Sequence, residues 1–166
     1  MCSRWAPCAA LLAVLLLVPA RASADVTAFF GTNRTPSDRA VRGFAIGTGL
    51  VIVAFEFEYA NTNDDLVKGA PQLRTFFFNG LVQTPIPIAR MQFYGTAGGG
   101  VYRETLERET LDELSETNVG ISVGGGVKVT LIGPLRLRLD YRVFTLQGSP
   151  LHSKPQRFYA GINLKF

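Results

Sequence analysis

The sequence predicts an all-β protein, an eight-stranded antiparallel up-and-down transmembrane β-barrel. Segments of about ten residues alternate between apolar and polar side chains, turn-forming residues divide them into an even number, and long polar connections alternate with short ones. Composition agrees. Apolar residues make up 47% and charged residues 18%, which excludes a disordered chain, while 17 Gly and 12 Phe against two Met favour strands and tight turns.

The first 24 of the 166 residues read as an export signal. Arg4 supplies a short basic start, Ala9–Val18 an apolar run, and Ala22-Ser23-Ala24 a small-x-small cleavage site. The run is about half the ~20 residues a spanning helix needs, and Pro7 and Pro19 flank it. Cys8 precedes the apolar core, which argues against lipidation. The mature domain is therefore expected over 25–166, beginning at Asp25.

Within it, Leu135, Leu137, Leu139, Tyr141 and Val143 share one face of an extended chain, and Arg136, Arg138, Asp140 and Arg142 the other. A helix would scatter them. Phe55, Phe57 and Tyr59 alternate likewise with Glu56 and Glu58; Val119 to Leu131 alternates with Gly120, Ser122, Gly124, Lys128 and Thr130. Phe158, Ala160, Ile162, Leu164 and Phe166 face away from Tyr159, Gly161, Asn163 and Lys165. Breakers then place strands at 25–33, 40–50, 52–60, 72–83, 89–103, 118–131, 135–146 and 157–166. Longer loops fall at 34–39, 61–71, 104–117 and 147–156, and tight turns near 51, at 84–88 and at 132–134.

Alternation alone does not say which face points inward, because a soluble lipocalin-type barrel alternates too. The end of the sequence separates the two readings: Tyr159-Ala-Gly-Ile-Asn-Leu-Lys-Phe166 finishes on an aromatic residue in a strand, with no polar tail. Together with Phe55-Glu-Phe-Glu-Tyr59, Leu139-Asp-Tyr-Arg142 and the export signal, this pattern resembles the eight-stranded outer-membrane β-barrel family, the OmpA-like barrel domains. The resemblance covers 25–166. It implies a cell outer-membrane location, a monomer surrounded by outer-membrane lipid and lipopolysaccharide, and an assembly signal read by the barrel assembly machinery at Tyr159, Gly161, Leu164 and Phe166. OmpA carries a peptidoglycan-binding domain after its barrel. None follows Phe166 here, so anchoring by that route is not expected.

An eight-stranded barrel is only wide enough inside for its own side chains. Strands three and seven lie across it from each other, which sets Glu56 and Glu58 against Arg136, Arg138 and Arg142, with Asp140, Lys128 and Lys165 on neighbouring faces. Unpaired charges in so narrow a space are costly, so a cross-barrel ion-pair network is expected. A polar plug is the simpler outcome, and a narrow ion-conducting pore the alternative. Glu56 and Glu58 read as ion-pair partners rather than an acid–base pair.

Other functions fit less well. Removing Arg4 and Arg21 with the leader leaves 15 basic against 13 acidic residues and no basic stripe, so no nucleic-acid partner is expected. Both cysteines, Cys2 and Cys8, lie in the leader, and neither a metal nor a cofactor is implied. Gly98-Gly-Gly100 and Gly124-Gly-Gly126 open no helix after a strand, so they read as points of close approach rather than a phosphate cradle. Outer-membrane lipid A deacylases are similar barrels with a His-x-Ser-Asn motif after a Tyr-Arg strand. Here Thr145 and Gln147 occupy the His and Ser positions, and adjacent His152 and Ser153 would point apart. No catalysis is expected; lipid A modification, and a periplasmic small-ligand barrel, remain alternatives.

The acidic stretch 104–117, with Leu106, Leu111 and Leu114, reads as a solvated loop. Arg34, Arg39, Lys154 and Arg157 near loop ends are placed to meet lipid phosphates. Phe29, Phe30, Phe44, Phe55, Tyr59, Phe76, Phe78, Phe93, Tyr94, Tyr102, Tyr141, Phe158 and Phe166 supply candidates for interfacial aromatic girdles.

Overall fold

Eight strands follow one another around a closed barrel in chain order, each antiparallel to the next. The computed structural model describes residues 23–106 and 114–166. The strands are β1 (Ser23–Asn33), β2 (Arg39–Gly49), β3 (Val53–Thr62), β4 (Gln72–Gln83), β5 (Met91–Leu106), β6 (Leu114–Ile132), β7 (Leu135–Leu146) and β8 (Gln156–Lys165). β8 returns to β1 in a ladder running from Asp25↔Lys165 to Asn33↔Arg157, so no strand edge is left unpaired.

The expected strands are all present, with instructive shifts at their ends. β5 and β6 are longer than expected, because the ladder continues through Glu104↔Glu116 to Leu106↔Leu114. Only the tip of the supposed 104–117 loop, with Leu111, lies outside the described residues, and Glu104 is a buried strand residue rather than a loop acid. β5 begins at Met91 rather than 89: Ala89 and Arg90 take positive φ (50° and 69°), and Ile88 and Met91 exchange both backbone hydrogen bonds at 2.9 Å around them. That is a two-residue hairpin turn whose twist suits the flanking strands. The β2–β3 connection is Leu50–Ile52, closed by Leu50 N–H donating to the Val53 carbonyl at 2.7 Å. β1 starts at Ser23, two residues before the expected mature start; the rest of the expected export signal lies outside the described residues.

Alternation decides the two surfaces. Phe30, Phe44, Ile46, Phe55, Phe57, Phe76, Phe78, Phe93, Ile121, Phe158 and Ile162 stand outward and exposed, while most charged residues of the same strands, among them Glu56, Glu58, Lys128 and Arg157, are buried. In water such an apolar surface would be prohibitive; in a bilayer it is the solvated face. Aromatic neighbours strengthen it, with Tyr59 5.7 Å from Phe44 and 4.8 Å from Phe76 between ring centroids. Three girdle candidates depart from expectation. Phe29, Tyr94 and Tyr102 have the opposite strand parity and point inward, each buried.

Candidate functional site: a charged lumen

The interior is built in layers. Toward the longer loops it is filled by Leu73, Phe77, Tyr102, Phe144 and Leu146, with Phe77 and Phe144 edge-to-face at 5.2 Å. Toward the short turns Ala54, Leu81 and Tyr94 form a second apolar cluster. Between them lies a layer of six buried charges: Arg138, Arg142 and Arg157 against Glu56, Glu58 and Asp140. Three positive and three negative groups cancel, which is what a water-poor interior requires.

Arg142 is the hub. Its Nη2 donates to Glu56 Oε1 at 2.9 Å, its Nε to Asp140 Oδ1 at 2.9 Å, and its Nη1 lies 3.0 Å from Glu58 Oε2 as an ion pair without an aligned hydrogen bond. Arg138 grips Glu56 through both terminal nitrogens and reaches Asp140 Oδ2 at 3.0 Å. Arg157 donates to Glu58 Oε1 at 3.0 Å and to Thr75 Oγ1 at 3.1 Å. These forked contacts suit guanidinium better than ammonium.

Two tyrosines tie the layer to the wall. Tyr94 donates its hydroxyl to Asp140 Oδ2 at 2.5 Å and accepts from Arg138 Nε at 2.7 Å. Tyr159 donates to Glu58 Oε2 at 3.2 Å and stacks on Phe29 at 4.1 Å. Room for these side chains comes from glycine on the adjoining strand. A Cβ at Gly126 would meet the Tyr94 hydroxyl at 2.5 Å, and one at Gly124 the Arg142 side chain at 2.7 Å. The glycine run of β6 is thus where large lumen groups press against the wall.

The expected network is therefore present but shifted in membership. Glu56, Glu58, Arg138, Asp140 and Arg142 are brought together as expected. Lys128 belongs to a separate pair, 2.6 Å from Asp25. Arg136 does not face Glu56 or Glu58. It sits one step nearer the short turns, donates to Gln92 Oε1 at 3.1 Å, and makes no ion pair among the described residues. Lys165 is exposed at the same end. Strand stagger explains both, because facing strands do not carry facing residues at equal height.

Arg157 is the main omission from the sequence reading. It is 0% exposed, so it does not meet lipid phosphates as its place near a loop end suggested; its parity beside outward Phe158 was the available signal. Arg39 is corrected likewise. It is buried and donates to the carbonyls of Thr35, Asn63 and Pro71, pinning two loops over the barrel mouth. Of the terminal residues, Tyr159 and Gly161 face inward and Leu164 and Phe166 outward, and the Phe166 N–H donates to the Ala24 carbonyl at 2.8 Å. His152 is half-buried and its neighbour Ser153 exposed, both in the bent β7–β8 loop.

Among solved structures, Neisserial surface protein A superposes with a TM-score of 0.70 at 13% identity, and the N-terminal β-barrel domain of Pseudomonas aeruginosa OprF with 0.67 at 15%; each comparison covers 87% of this chain and 97% of the other. The fold is that of an outer-membrane β-barrel. The outer membrane enzyme PagL shares it more distantly, with a TM-score of 0.51 at 12% identity over 84% of this chain and 98% of that one. By sequence, a "22 kDa outer membrane protein" of Rhizobium leguminosarum bv. viciae is 29% identical over 102 residues, which are 60% of this chain and 47% of that protein, so the match spans about half of the relative's length. No family model matches. A barrel with this lipid-facing surface resides in the outer membrane.

Proposed function

We propose that the protein is a closed, non-catalytic barrel with a structural and surface-interacting role, working as a monomer in outer-membrane lipid and lipopolysaccharide and offering its four longer loops to the exterior. The observation that carries this reading is the balanced six-charge layer held between two apolar layers, a filled interior rather than a channel. Against lipid A modification stand Thr145 and Gln147, which occupy the positions where the deacylase motif has its His and Ser, and His152 and Ser153, which lie apart from that position in the β7–β8 loop. Purified protein in planar bilayers tests the reading. A closed barrel gives no stable, large single-channel steps, and a pore gives them. Lipid A incubated with the protein should keep its acyl chains; their release would replace this reading with the enzymatic one. The assembly machinery is the proposed reader of the terminal residues, so Phe166→Ala should lower the yield of folded barrel in membranes while leaving export intact.

A further inference from the structure

Nearly every charged side chain of the described strands points inward or lies at an open end. The exceptions on the outer wall are Arg42, Arg74 and Arg103, all exposed. They do not fall at random. In the ladders Arg42 pairs with Asn61, Asn61 with Arg74, and Arg74 with Arg103, so the three lie in one row across β2, β3, β4 and β5. Directly below, toward the middle of the membrane, the same strands carry Phe44, Tyr59, Phe76 and Val101, again cross-strand neighbours. A shallow groove of about 270 Å³ joins the rows, lined by Tyr59, Phe76 and Val101 on the apolar side and Arg74 and Arg103 on the basic side.

Position and charge narrow the occupant. A cationic side chain on the lipid face is costly at the midplane and nearly free at the interface, so the row marks the membrane boundary. It lies at the end of the longer loops, opposite the end where the described chain begins and finishes, and hence in the outer leaflet. Arg74 stands directly opposite Arg103, which brings two guanidinium groups together at this boundary. Arg103 has a further interaction of its own, so it contributes charge to the row rather than a vacant donor set. Across four strands the row spans roughly 15 Å, room for a head group bearing more than one phosphate. Guanidinium forks bind phosphate oxygens, and the aromatic row beneath offers its surface to acyl chains.

We propose that Arg42, Arg74 and Arg103, with the aromatic row beneath them, form a binding site on the outer wall of β2–β5 for the phosphorylated head group of an outer-leaflet glycolipid. The site rests on the membrane-barrel reading above and replaces the loop-end arginines Arg39 and Arg157 as the place where lipid phosphate is held.

The test uses the full chain folded in detergent micelles and titrated with purified bisphosphorylated lipid A, with the dephosphorylated lipid and inorganic phosphate as separate arms. Single Arg42→Gln and Arg74→Gln variants should each bind bisphosphorylated lipid A about tenfold more weakly, and a triple variant with Arg103→Gln should lose the preference for the phosphorylated form. Inorganic phosphate at the same concentration should not compete, because it lacks the apolar part. Equal binding by wild type and triple variant, equal binding of both lipids, or full competition by inorganic phosphate would each overturn the proposal. The heat-dependent shift of the folded band on SDS gels is read on the same samples. Its absence from the wild type would sink the membrane-barrel reading, whereas a normal shift with no phosphate preference sinks the glycolipid site alone.

Discussion

Replacing Arg142 with methionine removes one cation from a layer in which three arginines face three carboxylates. Glu56, Asp140 and Glu58 stand 2.9, 2.9 and 3.0 Å from the Arg142 guanidinium. With Arg142→Met the layer keeps its three carboxylates and only two arginines, and one negative charge is left in a buried site. Breaking a buried pair in this way costs about 3–5 kcal/mol. Adding Asp140→Asn restores the balance and leaves two complete pairs, Arg138–Glu56 and Arg157–Glu58. The double variant should therefore recover about 2 kcal/mol or more of the loss, a coupling far outside additivity. Guanidinium unfolding of the lipid-reconstituted protein gives all four corners of the cycle. A single variant costing under about 1 kcal/mol, or a double variant weaker than the single, would refute the charge-balance argument.

Other predictions share that assay. Tyr94→Phe removes a hydroxyl that joins Asp140 and Arg138 at 2.5 and 2.7 Å, and should cost about 1.5–3 kcal/mol. Gly126→Ala places a Cβ 2.2 Å from the Leu139 carbonyl and 2.5 Å from the Tyr94 hydroxyl, both too close; a loss of about 1–3 kcal/mol is expected, and it should shrink when Tyr94→Phe is already present. Phe57→Lys puts a cation near the middle of the lipid belt and should cost about 2–4 kcal/mol in bilayers.

The barrel was legible because period-two alternation is a direct consequence of strand geometry, and Leu135–Val143 or Phe158–Phe166 admit no other arrangement. The carboxylate–arginine core of the lumen followed from the same parity. Height along the axis was not legible, since it depends on stagger between strands; this is why Arg136 and Lys165 were grouped with Glu56 and Glu58 and are found nearer the short turns. Residues at strand ends were misjudged for a related reason. Arg157 and Arg39 sit where a loop and a strand meet, so nearness to a loop end suggests exposure while their strand parity turns them inward. The outer row of arginines was missed because Arg42, Arg74 and Arg103 are far apart in sequence and become neighbours only through pairing.

The most direct test of which face meets lipid is quenching of tryptophan by brominated acyl chains. The one tryptophan of the sequence is Trp5, so a Trp5→Phe background carries a single reporter wherever one is introduced. Phe57 is 51% exposed on the outer wall and Phe77 is 1% exposed in the lumen, on adjacent strands. Phe57→Trp should be strongly quenched in brominated bilayers and Phe77→Trp scarcely at all. The opposite pattern, or no quenching at either position, would mean that the apolar face does not meet lipid and that the barrel is turned the other way.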